Sequence, residues 1–148
     1  MLFGGKTPLD LNKNFSDGRR LLGAGKTIKG TYCAIIIGII TTLVLWLLFT
    51  ETTLILSSNY LAFGFLLSIG AIVGDLIGSF LKRRKNIQRG EAVLLLDQLD
   101  FIIVGVIFGG IIHWITIWEL IFIIILTLAL HKLTNWIAFK WRIKKVPW

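Results

Sequence analysis

Long charge-free stretches divide the chain, and polar residues gather between them. Thr31 to Thr50 contains no Asp, Glu, Lys or Arg and is bracketed by Lys29 and Glu51. In a helix this run is about 30 Å long, one hydrocarbon core of a bilayer. It predicts a first membrane span over 31–50. From Thr52 to Leu81 the only charge is Asp75, and Ser57-Ser58-Asn59 marks the membrane entry. A second span is therefore predicted over 58–81, long enough to tilt or to project from the membrane. Within it Gly70, Gly74 and Gly78 stand four apart, a ridge of small residues that lets another helix approach closely. Ala92 to His131 carries only Asp97, Asp100 and Glu119. As one helix it would measure about 60 Å, twice a bilayer core, so it must turn. The turn is placed from Gly109-Gly110 to Trp118-Glu119, with Trp114 and Trp118 at interface depth. Spans three and four are then predicted over 91–112 and 117–139, followed by a basic, aromatic tail over 140–148.

The expected fold class is all-α: a polytopic membrane helix bundle with four transmembrane helices, one membrane-embedded domain over 1–148. Composition agrees. Hydrophobic residues make up 55% of the 148 and charged residues 16%, against roughly 25% charged in a soluble domain. Too few polar side chains are present to cover a soluble surface, and disorder is excluded for the same reason. The 16 Lys and Arg, against 8 Asp and Glu, all fall in 1–30, 82–91 and 132–145. The connections 51–57 and 113–118 hold none. By the positive-inside rule both termini are cytoplasmic. The net charge of +8 is spread over membrane flanks, which argues against nucleic acid as a partner. Cys33 is the only cysteine, so no internal disulfide and no multi-cysteine metal site forms. The first 30 residues are polar and basic, and no cleavable signal peptide is expected.

Three carboxylates need an explanation. Asp75, Asp97 and Asp100 lie in or at the ends of spans, where a charge is costly. Asp97 and Asp100 are three apart and share a helix face. A divalent cation such as Mg²⁺ would relieve their repulsion, since it favours a few carboxylates with water and phosphate oxygens. The alternative is that they cap helices or pair with nearby Lys and Arg. Lys82-Arg83-Arg84-Lys85 lies between the aspartate-bearing ends, where it suits either a polyphosphate or anionic lipid. The segment Asp17 to Thr27 is glycine-rich and basic. Gly25-Lys26-Thr27 matches the end of a P-loop, but Arg20 stands where the pattern needs glycine, and no strand precedes it. Two readings stand: a mobile loop whose backbone N–H groups and cations surround phosphates, or a linker close to the membrane surface. His113 and His131 make no metal pattern with a carboxylate, and no Ser-His-Asp or Cys-His arrangement is visible.

Three motifs, in order, resemble those of archaeal CDP-archaeol synthases. They are Asp17-Gly18-Arg19-Arg20-Leu21-Leu22-Gly23-Ala24-Gly25-Lys26-Thr27, Gly74-Asp75 with Ser79-Phe80-Leu81-Lys82-Arg83-Arg84, and Arg89-Gly90-Glu91 followed by Leu95-Leu96-Asp97-Gln98-Leu99-Asp100-Phe101. The resemblance covers roughly Pro8 to Phe101. Asp97-Gln98-Leu99-Asp100 also resembles in spacing the Asp-Arg-x-Asp element of CDP-diacylglycerol synthases. The His-Gly-Gly of bacterial and eukaryotic enzymes is replaced by Ala92-Val93-Leu94, which favours the archaeal branch. Ala24 stands where the family commonly has Asp. The family has a further span before the Asp-Gly-Arg-Arg loop; here only Met1 to Lys6 precede the Pro8 region, so four spans are expected.

The resemblance implies a membrane cytidylyltransferase that joins CTP to an isoprenoid-ether phosphatidate, giving CDP-archaeol and pyrophosphate. It implies Mg²⁺ held by Asp75, Asp97 and Asp100, with Lys82 also catalytic. Asp17, Arg19, Arg20, Lys26, Thr27, Ser79 and Arg83 would bind substrate. The enzyme would sit in the cell membrane as a multi-pass protein with its active site facing the cytoplasm, and the lipid tails would enter along the glycine ridge. The competing expectation is a non-catalytic membrane protein, a transporter subunit or assembly factor that binds anionic lipid or nucleotide through its basic face.

Overall fold

The structure is a computed structural model and describes residues 5–87, 91, 93 and 96–143. Five helices follow a glycine-rich N-terminal loop: α1 (Ile28–Leu48), α2 (Thr50–Leu56), α3 (Tyr60–Arg84), α4 (Leu96–Gly109) and α5 (Ile117–Lys140). Among the described residues there is no extended strand, only isolated bridges Pro8↔Thr27 and Asn14↔Arg20 within the loop. By length and apolar composition α1, α3 and α5 can cross a membrane. Large apolar side chains such as Ile36, Ile40, Ile77, Phe122 and Ile125 are exposed along them, as lipid-facing surfaces require.

Local chemistry sets the helix ends. Thr27 is the N-cap of α1, its side-chain oxygen accepting from Gly30 N–H at 3.2 Å. The first span thus starts three residues before the predicted Thr31. The predicted connection 51–57 is itself helical as α2, separated from α1 by Phe49 (φ −132°, ψ 46°). α3 runs on through Lys82, Arg83 and Arg84, past the predicted end at 81, because cations suit a helix C-terminus. α5 opens with a capping box: Thr116 Oγ1 accepts from Glu119 N–H at 3.4 Å, and Glu119 Oε2 accepts from Thr116 N–H at 2.6 Å.

The third predicted span differs most. α4 begins at Leu96 rather than Glu91 and ends at Gly109, as the Gly109-Gly110 turn signal foretold. Its 14 residues reach about 21 Å, less than a hydrocarbon core. At its start Asp97 Oδ2 accepts from Val93 N–H at 3.2 Å, which fixes the first turn. The residues 88–90, 92, 94 and 95 of the expected third motif, and 144–148 of the predicted tail, lie outside the described residues.

Small residues decide the packing. Gly70, Gly74 and Gly78 are buried against α4. A Cβ on Gly70 would lie 2.7 Å from Val104 O and 2.8 Å from Gly105 Cα, and one on Gly74 would lie 2.7 Å from Phe101 Cα. The ridge therefore does bring a helix close, but that helix fills it. The ridge itself is occupied by α4, and the apolar cleft beside it is lined by Ile77 and Leu81 of α3 and Ile103 and Val104 of α4. α1 crosses α3 by a reciprocal arrangement: Thr42 occupies the space a Cβ on Gly64 would need, and Ser68 does the same for Gly38. Both hydroxyls donate back to their own helix, Thr42 to Gly38 O at 2.9 Å and Ser68 to Gly64 O at 2.8 Å. No polar group is left unpaired at the crossing.

Candidate active site

The start of α1, the end of α3 and the start of α4 meet at one end of the bundle, and the N-terminal loop folds over them. Arg84 fastens the loop down. Its guanidinium lies 5.0 Å from the Phe15 ring centre and 4.9 Å from that of Phe80, and the two rings meet edge-on at 5.4 Å. The same group donates to the Asp17 carboxylate and to the carbonyls of Arg19 and Arg20. Arg19 Nη1 returns a bond to Arg84 O at 2.6 Å, closing the α3 terminus.

Asp10 organises the loop from within. Its carboxylate is fully buried and pairs with Arg20 Nη2 at 2.6 Å. It also accepts from the backbone N–H groups of Asn12 at 3.1 Å, Leu22 at 3.2 Å and Gly23 at 3.0 Å. Burial alone would raise its pKa. The hydrogen bonds from Arg20, Gly23, Leu22 and Asn12 outweigh that and hold it at about 2, below the usual 3.8.

Between loop and bundle is a polar cavity of about 160 Å³. Leu22 to Lys26 form its upper lip, and Ser79, Lys82, Arg83 and Glu91 its floor. A second hollow of about 320 Å³, lined by Arg19, Arg20, Gly23, Ala24, Arg83, Asn86 and Ile87, shares Gly23, Ala24 and Arg83 with it. Gly23 takes φ +92°, a conformation that favours glycine, and its Cα faces the Arg83 side chain. The Arg83 Nε is buried and has no hydrogen-bond partner among the described residues.

The three aspartates sit beside this cavity. Asp75 pairs with Lys26 and Asp97 with Lys82. The alternative that the carboxylates pair with lysines or cap helices is thus realised for Asp75 and Asp97. With the Asp75 side chain 52% exposed, its pair with Lys26 is worth at most about 1 kcal/mol, so a stronger ligand can displace it. Asp100 makes no ion pair among the described residues; its Oδ1 accepts from Phe101 N–H at 2.6 Å. No group of three His, Cys, Asp or Glu among the described residues converges tightly enough to hold a metal ion. Lysines hold two of the three aspartates proposed as its ligands. The donor chemistry still fits Mg²⁺ arriving with a polyphosphate, which needs only one or two protein carboxylates.

The structure therefore sorts the expected residues. Lys26, Ser79, Lys82 and Arg83 line the cavity together. Asp17, Arg19 and Arg20 are engaged in holding the loop, and the Thr27 side chain caps α1 and accepts from Gly5 N–H at 3.3 Å. Asp10, Phe15 and the anchoring role of Arg84 escaped the sequence reading. A hint was present: Asp10 and Asp17 are the only acids in an otherwise basic loop. His113 lies away from this site, edge-on to the Phe63 ring at 6.0 Å.

Apolar helices around a basic, loop-covered cavity flanked by carboxylates define an all-helical membrane protein with a charged site at one end of its bundle. Its relatives make the class specific. A family profile for CarS-like CDP-archaeol synthases matches residues 1–148. The chain is 45% identical to the CDP-archaeol synthase of Methanocaldococcus jannaschii, over 99% of this chain and 86% of that one. It is 41% identical to that of Pyrococcus horikoshii, over 100% of this chain and 86% of the relative. A solved intramembrane enzyme for archaeal membrane lipid biosynthesis superposes with a TM-score of 0.80 at 32% identity, covering 90% of this chain and 82% of the other. The chain belongs to the CDP-archaeol synthase family, and it is an enzyme of the CTP-dependent nucleotidyltransferase class.

Proposed function

We propose that the chain joins CTP to an isoprenoid-ether phosphatidate at the cytoplasmic face of the cell membrane, releasing pyrophosphate and giving CDP-archaeol. The observation that carries this reading is the cavity in which Lys26, Lys82, Arg83 and Ser79 converge, with Asp75 and Asp97 paired to its two lysines. In the reaction an oxygen of the lipid phosphate attacks the α-phosphorus of CTP, and the bond to the β-phosphate oxygen breaks. No covalent enzyme intermediate is needed, so the absence of a nucleophile triad is no obstacle. Catalysis comes from positioning and charge neutralisation.

Lys26 and Lys82 leave their carboxylate partners for the triphosphate, and Arg83 supplies a further donor. Ser79 binds a phosphate oxygen. Asp75, Asp97 and Asp100 are the residues that would hold Mg²⁺, which when bound neutralises the phosphates of both substrates. Asp17, Arg19, Arg20 and Thr27 serve the substrate through the shape of the loop. The tails are assigned to an apolar cleft of about 510 Å³ lined by Ile77, Leu81, Leu99, Ile103 and Val104, in which Asp100 is the only charged residue among the described ones. A groove of similar size between α1, α3 and α5 shares no lining residue with the basic cavity. Four spans, with α4 packed on α3 as the shortest and both termini cytoplasmic, put every Lys and Arg on the side of the site.

The test is pyrophosphate release in lipid or detergent, with ether and diacyl phosphatidates compared, in Mg²⁺ and in chelator. The expected result is metal-dependent release that requires a lipid phosphate and prefers the ether lipid. Asp97→Asn should abolish it while leaving expression near normal. Wild-type rates in Asp75→Asn, Asp97→Asn and Asp100→Asn alike would end the metal assignment.

A further inference from the structure

We propose that Asp10 is a positioning residue for the nucleotide: it holds the Gly23–Lys26 lip of the basic cavity in the shape that receives the triphosphate. This rests on the reading of that cavity as the CTP site.

Two ends of the lip are tied to one short segment. At its start the N–H of Gly23 donates to Asp10 Oδ2 at 3.0 Å, and that of Leu22 to the same oxygen at 3.2 Å. At its finish Lys26 O accepts from Leu9 N–H at 2.7 Å, and Pro8 bridges to Thr27. Pro8, Leu9 and Asp10 thus run behind the lip as a splint. The splint is itself fixed by a tight turn, in which Leu11 N–H donates to Pro8 O at 3.1 Å and Lys13 N–H to Asp10 O at 2.7 Å. Leu11 and Asn12 both take positive φ there, 47° and 62°. Such backbone strain persists only where the surroundings over-determine it.

The carboxylate is needed rather than any polar side chain. One oxygen takes Arg20 Nη2 and Asn12 N–H; the other takes Leu22 N–H, Gly23 N–H and Arg20 Nε at 3.3 Å. All five donors need acceptor lone pairs, and only an ionised carboxylate offers two acceptor oxygens and no competing donor. An amide would present an N–H₂ to one set. Leu22 and Gly23 N–H are also occupied by this bond. The lip therefore meets phosphate with Lys26 and its remaining backbone, not with the amides that a P-loop would use. Arg20, which lies 10 residues along the chain from Asp10, acts on the nucleotide through Asp10.

The experiment is a steady-state comparison of Asp10→Asn with the wild-type full chain in detergent, varying CTP and the lipid phosphatidate separately. The expected result is a CTP KM raised at least tenfold with the lipid KM unchanged. A merely structural role would lower the active fraction, so kcat would fall and both KM values would stay. Where Asp10→Asn does not accumulate, Asp10→Glu keeps the charge but displaces it by a methylene, and the same split is expected. Asp10→Asn with Arg20→Gln removes the unpaired cation: recovery of the CTP KM there would overturn the splint and leave only charge balance. Lys82→Ala is the control for the site. If it raises the CTP KM and Asp10→Asn does not, the positioning role is wrong; if neither does, the cavity is not the nucleotide site.

Discussion

Gly74→Ala places one methyl group where α3 and α4 are closest. Its Cβ would lie 2.7 Å from Phe101 Cα and 2.8 Å from Asp100 C, and closer still to the Asp100 carbonyl oxygen. All three atoms are backbone, so no rotamer change relieves the clash. Reaching ordinary van der Waals separation requires α4 to retreat by about 1 Å at Asp100, against a packed interface. Overpacking of this kind costs about 1–3 kcal/mol, and the gain in helix propensity returns at most about 1. With the full gain returned, the net loss is about 0–2 kcal/mol, up to several degrees in Tm. Function should suffer more, because Asp97 and Asp100 move with the backbone and a misplacement of about 1 Å can cost about 100-fold in rate. Gly105→Ala is the internal comparison: it changes the same interface, but its Cβ would sit at an ordinary 3.6 Å from Ala71 N and Leu67 O. Thermal unfolding followed by tryptophan fluorescence, with CTP turnover on the same preparations, separates the two. Wild-type Tm and turnover in Gly74→Ala, or equal damage in Gly105→Ala, would refute the reasoning.

Three further outcomes are expected. Thr116→Ala removes the capping box of α5 and should cost about 0.5–2 kcal/mol in thermal stability while leaving the CTP KM unchanged, since the box lies away from the charged site. Arg84→Lys keeps the charge but loses the planar group between Phe15 and Phe80 and the forked contact to Asp17 and two carbonyls; limited proteolysis within 5–27 should quicken, and unchanged cleavage would disprove the anchor. Asp10, held at about 2 against a usual 3.8, contributes stability that is fully present above about pH 4 and lost as pH falls through 2, at most about 2 kcal/mol. The Tm difference between wild type and Asp10→Asn should therefore shrink between pH 5 and pH 2.5, and a constant difference would contradict the assignment.

The spans were legible because a stretch of 20 residues without charge has few readings, and α1, α3 and α5 lie where those stretches lie. The ridge Gly70-Gly74-Gly78 announced close packing by its spacing, but which helix would fill it was not written in that spacing. α4 was predicted too long because apolar composition extends beyond its helical turns, whereas the Asp97 side chain fixes its start. At the site the motifs fall on segments that line the polar cavity. They did not separate Lys26 and Lys82, which face the cavity, from Asp17, Arg19 and Arg20, which hold the loop. That division depends on contacts between residues 10 to 67 apart, such as Arg20 with Asp10, Lys26 with Asp75 and Arg84 with Asp17, for which no local periodicity exists. Asp10 was missed for the same reason, since its burial comes from partners gathered by the folded loop.

The long reach of the Arg84 anchor bears on how the protein is made. A chain that leaves the ribosome N-terminus first presents the loop long before α3. The loop's landing place, Phe80 and Arg84, and the carboxylates of α4 appear only after two membrane helices have been inserted. Until then Arg20 has its partner Asp10 within the loop, but Lys26 lacks Asp75 and the loop has no floor to close against. The cavity is therefore closed only once α4 has been made, because contacts between segments as far as 67 residues apart wait for the helices between them.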